Sequence, residues 1–110
     1  MVEGIFIQML EQIRDSGVLS SRQRADMERL LESIGRKFGG LALADPDGAR
    51  SAGNFLGCAI WESIRRDRTN PLATVGRKGM LLAFRPYEES HPELVAEAYT
   101  LGDVLSALGV

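Results

Sequence analysis

The sequence predicts an α/β fold of the α+β kind: an antiparallel sheet of four or five strands with helices packed on it and an extra N-terminal helix. Three observations carry that expectation. Two early stretches, Val2 to Arg14 and Met27 to Phe38, place apolar residues three and four apart. An Asp45-Pro46-Asp47-Gly48 turn signature then separates two short apolar runs. Further on, Gly76-Arg77-Lys78-Gly79 separates two strand-like runs.

Each element follows from local chemistry. Val2, Ile5, Phe6, Met9, Leu10 and Ile13 form one helical stripe, which Gly17 is expected to close as a left-handed cap. Ser20 with Gln23 has capping-box spacing, and Met27, Leu30, Leu31, Ile34 and Phe38 continue as a second stripe. Gly39-Gly40 should stop that helix, because two glycines make further helix costly. Residues 41–44 and 49–52 then read as a tight β-hairpin around Pro46, Asp47 and Gly48. Asn54 is placed to cap a third helix through Phe55, Leu56, Ala59, Ile60, Trp61 and Ile64, ended by Asn70-Pro71. Leu72 to Val75 and Met80 to Phe84 form a second hairpin. After Pro86 two readings compete: Leu94, Ala98, Leu101, Leu105 and Leu108 make a helical stripe capped by Ser90 with Glu93, while Leu94 to Tyr99 alternates as a strand. The expectation taken is a strand over 94–99 and a helix over 101–108, since Gly102 costs a continuous helix about 1 kcal/mol.

Composition bounds the function. The 110 residues are 45% apolar and 25% charged, which fits one globular domain over 1–110. One Cys and one His are too few for a His/Cys metal cage or a disulfide framework. No phosphate-loop pattern surrounds the glycine pairs, and Asp45 with Asp47 lacks the further oxygens a calcium loop needs. His91, between Ser90 and Pro92, reads as a solvated loop or helix-start residue, and Cys58 as a core residue in an apolar run. The expectation is therefore a non-enzymatic protein with no catalytic residue, metal or cofactor, acting by binding. No apolar run approaches a bilayer span, and Cys58 in an apolar setting points to a reducing, cytoplasmic location.

The net charge is -2, so any electrostatic partner must meet a local patch. Arg65, Arg66, Arg68, Arg77, Lys78 and Arg85 against Asp67 leave residues 65–85 at +5, and residues 88–103 carry -5. The blocks either solvate the surface or form a patch. On the second reading Arg65, Arg66, Arg68, Arg77 and Lys78 are the partner-binding residues. Phe55, Leu56, Ile60 and Trp61, more apolar than a one-sided helix needs, are the expected homodimer interface.

Met27 to Asn54 reads MERLLESIGRKFGGLALADPDGARSAGN, a helix, a glycine break, an apolar strand, an Asp-x-Asp-Gly turn and a second strand. In that order the chain resembles the roadblock/LC7 family. The resemblance runs over residues 20–108 as an αββαβββα core behind an N-terminal helix at 1–17. It implies a homodimeric, non-enzymatic adaptor or regulator that binds a protein partner such as a small GTPase or scaffold. Ile34 to Gly40, IGRKFGG, is also similar to the glycine break in the dimerisation region of Mu-type phage middle-gene activators. No helix-turn-helix reads after Arg68, so that likeness licenses no DNA-reading claim; the alternative, a nucleic-acid-associated regulator, rests on the basic patch at 65–85.

Overall fold

The computed structural model describes residues 2–108, and every regular element among them is helical. Five α-helices follow in order: α1 (Val2–Asp15), α2 (Ser21–Ala44), α3 (Pro46–Ile64), α4 (Asn70–Phe84) and α5 (Pro92–Ala107), with a 3₁₀ turn at Arg85–Tyr87 between the last two. The expected sheet is absent among the described residues, and both hairpins and the 94–99 strand are helix. The strands on which the roadblock/LC7 resemblance rested, and the αββαβββα core drawn over 20–108, go with them.

The physical reasons are local and specific. The start of α2 is as the sequence reads: Ser20 Oγ accepts from the Gln23 amide at 3.1 Å, and Gln23 Oε1 accepts from the Ser20 amide at 2.8 Å. The helix then runs through Gly39-Gly40. Each interior glycine costs about 1 kcal/mol against alanine, whereas burying Phe38 and Leu41 contributes roughly 1.5–3 kcal/mol each. Both are on the buried stripe of Met27, Leu31, Ile34, Phe38 and Leu41.

Asp45 ends α2 and begins α3. Its amide donates to the Leu41 carbonyl at 2.8 Å, and its Oδ1 accepts from the Gly48 amide at 3.0 Å. Pro46 occupies the first turn, where a missing N–H costs nothing. A type I turn and a first helical turn share nearly the same dihedrals, so Asp-Pro-Asp-Gly serves either. What decides is the stripe that follows, Ala49, Ala52, Leu56, Ala59, Ile60, Ser63 and Ile64, all buried.

At the other boundaries, α1 ends at Asp15 and no described glycine has positive φ, so Gly17 is not a left-handed cap. Pro71 opens α4 rather than closing α3. In α5 Gly102 is buried, and a Cβ there would stand 3.2 Å from Met80 Cε. Close packing on α4 offsets its helix cost, and one helix covers Leu94 to Leu105.

Helix α3 is central and touches all four others, while α2 also packs on α1 and α5. Phe38 stands between Phe6 and Phe84, edge to face at centroid distances of 5.2 and 6.3 Å, and fastens α1, α2 and α4. The assembly measures 36 × 24 × 20 Å. None of the described helices is long and apolar enough to cross a membrane.

Candidate interaction surface

The two glycines that suggested a hairpin loop are instead the points where α4 meets α3. A Cβ on Gly76 would lie 3.1 Å from the Ala59 Cα and 3.4 Å from the Cys58 carbonyl oxygen. One on Gly79 would lie 2.6 Å from Phe55 Cδ1. As the chain advances from Gly76 to Gly79, its neighbour on α3 retreats from Ala59 to Phe55, so the helices are antiparallel. Ala73, Gly76 and Gly79, three residues apart, let the backbones approach closely.

That approach has a consequence on the outer side of the pair. Buried Ala73, Gly76, Met80 and Phe84 form one stripe of α4. Leu72, Val75, Gly79 and Leu82, at steps of three, four and three, form another that faces outward beside Phe55. Leu72 is 45%, Val75 66%, Leu82 62% and Phe55 44% exposed, with the Phe55 ring over the gap at Gly79. Together these amount to about two whole large side chains, or on the order of 400 Å² of apolar surface. That lies within the range of about 300–600 Å² usual for the largest apolar patch of a monomer, a patch that is often functional. Cys58 is exposed on α3, which corrects its expected place in the core.

The expected homodimer residues divide. Leu56 and Ile60 are fully buried, fixed in the protomer's own core. Phe55 belongs to the outer patch. Trp61, six residues on and so about 120° round the helix, lies by α1 in a cleft with Gln8, Glu11, Val18 and Arg65. Phe55 and Trp61 therefore belong to different faces. Sequence reasoning missed Leu72, Val75 and Leu82 by reading two strands; the signal was a double helical stripe, one of large residues and one of small.

The basic residues are brought together only in part. Arg65, Arg66 and Arg68 share the α3–α4 connection, whereas Arg77 stands seven residues into α4, about 10 Å along it. Arg65 is held by Glu62 at 3.2 Å and Asp67 at 3.7 Å, with its side chain 23% exposed. Arg68 is half-buried, and Arg77 Nη2 donates to Thr74 Oγ1 at 3.3 Å. Arg66 and Lys78 are the exposed members of the five.

A polar cluster braces the opposite end of the bundle. The Tyr87 hydroxyl donates to Asp45 Oδ2 at 2.7 Å, while its ring and that of His91 stand edge to face with centroids 6.3 Å apart. The Gly48 amide, and then the Tyr87 hydroxyl, hold the Asp45 carboxyl below the usual range. The same bond raises the Tyr87 hydroxyl. A side chain at Gly48 would collide with the Tyr87 hydroxyl and the Asp45 carboxyl and so displace the brace. His91 stands at the N-terminus of α5, half-buried, its Nδ1 2.9 Å from Ser90 Oγ. Nearby, Lys37 bonds Glu97 and Ser33. Burial pushes the Glu97 carboxyl up, and the bonds from Lys37 and Ser33 outweigh it, leaving it lowered. This cluster ties the turn before α5 to the α2–α3 junction. Among the described residues no group of three His, Cys, Asp or Glu side chains could hold a metal ion.

No protein-family model, no curated protein and no solved structure matches this chain.

Proposed function

We propose that this protein is a small non-enzymatic adaptor or regulator that acts by binding another protein through the outer face of α3 and α4. One observation carries the reading: Phe55, Leu72, Val75 and Leu82 are exposed together on two closely packed helices. Leaving such a patch in water forgoes burial worth about 25 cal/mol per Å². A contiguous apolar patch of this size, with Arg66 and Lys78 exposed nearby, has the composition of a protein-binding surface. The free thiol of Cys58, exposed on α3, supports a reducing, cytoplasmic place of action.

A photoreactive amino acid at position 75, introduced in the organism that encodes the protein, tests this. Discrete crosslinks to a protein from position 75, and none from exposed position 22 on α2, are expected. Equal labelling from both positions, or crosslinks from 75 to nucleic acid alone, would overturn it.

A further inference from the structure

We infer that the outer face of α4 takes a second copy of this chain, with the two α4 helices antiparallel about a twofold axis level with residue 77. The inference rests on the reading of this face as a binding surface and names its occupant.

The first argument is self-complementarity. Leu72, Val75, Gly79 and Leu82 follow the three-four-three spacing of a helix-pairing seam, about 15 Å long from end to end. Run antiparallel about residue 77, Leu72 meets the partner copy's Leu82. Val75 meets the partner copy's Gly79, the narrow point over which Phe55 lies. Val75 thus meets the Phe55 ring that fills the gap at Gly79, and leucine meets leucine at each end, so every contact along the seam is apolar. A parallel arrangement would instead stack Val75 on Val75 and leave glycine facing glycine.

Charge supplies a second, independent argument. At the N-terminal end of α4, Arg65, Arg66 and Arg68 stand against Glu62 and Asp67, an excess of one positive charge. Beyond the C-terminal end, Glu88 and Glu89 are exposed against Arg85. The α4 dipole has the same sense, positive at its start and negative at its end. Antiparallel pairing sets the basic end of each copy beside the acidic end of the other; parallel pairing sets like on like. The area also fits. An apolar contribution on the order of 400 Å² is half of the roughly 800 Å² that each partner gives to an interface of standard size, close to the usual apolar share.

The purified full chain is examined by sedimentation equilibrium from about 1 to 200 μM, a range that covers modest dimers. A monomer–dimer equilibrium is expected, weakened at least tenfold by Val75→Glu or Leu82→Glu and unchanged by Leu43→Glu, which changes an exposed leucine elsewhere. Circular dichroism of each variant confirms that it folds. Orientation is read in a Cys58→Ser background by mixing Leu72→Cys with Leu82→Cys and oxidising. Mixed disulfide dimers are expected, since antiparallel pairing separates the two copies of position 72 by about 15 Å. Disulfide dimers of each variant with itself, and no mixed disulfide in the mixture, would overturn the orientation. A wild-type monomer throughout the range, or an association indifferent to Val75→Glu, would overturn the inference. Crosslinking of position 75 to a different protein in the cell would still report on the wider reading.

Discussion

Replacing Gly39 by alanine tests the least expected feature of the fold, the passage of α2 through Gly39-Gly40. Gly39 is the nineteenth residue of a 24-residue helix, exposed, with no atom within 4 Å of where a Cβ would stand. It has no positive φ for a side chain to strain. Alanine therefore meets no steric cost and recovers the backbone entropy that glycine forfeits, about 0.5–1 kcal/mol. In a domain of this size that is a rise in midpoint of roughly 2–4 °C. The companion Gly40→Ala adds a Cβ 4.0 Å from the His91 ring, an ordinary contact, and should act in the same direction. Urea unfolding followed by far-ultraviolet circular dichroism, with a thermal scan, measures both. A loss of stability in Gly39→Ala would mean that the chain needs glycine's freedom there. The long α2 would then be refuted in favour of a break after Phe38.

Four further outcomes follow from the packing and charges. Gly76→Leu should destabilise by about 1–3 kcal/mol in urea unfolding, because its side chain must push α4 off the Ala59 backbone. Phe38→Ala should cost about 3–5 kcal/mol, since it removes the ring that joins α1 to α4. Arg66→Glu should leave the midpoint unchanged, whereas Arg65→Glu should lower it by breaking the contacts with Glu62 and Asp67. Acid titration should show the brace at Asp45. Its folded pKa lies below the unfolded one, so the stability it adds is present above about pH 4 and disappears as pH falls through the folded value. Asp45→Asn should flatten that acid limb and lower stability at pH 7, as read from unfolding curves between pH 2 and 7.

Two kinds of feature could be read directly from the sequence: the capping box at Ser20 and Gln23, and the helical stripes of Val2 to Arg14, Met27 to Phe38 and Phe55 to Ile64. Both depend on neighbours within one or two turns, and a local pattern is enough to decide them. The face that carries the proposed binding was only half legible, through Phe55. Leu72, Val75 and Leu82 were hidden because Ala73, Gly76 and Gly79 look like breakers when read singly.

What the sequence by itself determined was a count of His and Cys too low for a metal cage, a charge asymmetry across 65–103, the helical stripes of α1 and α2, and the first turn of α2. Only the tertiary structure decided between helix and strand over 41–52, 72–84 and 94–99. Asp45-Pro46-Asp47-Gly48 satisfies a turn and a helix start equally, and glycine disfavours helix by about 1 kcal/mol wherever it stands. Gly76 and Gly102 become assets only when α3 and Met80 arrive against them, because the space left by a missing side chain has value only once another helix fills it.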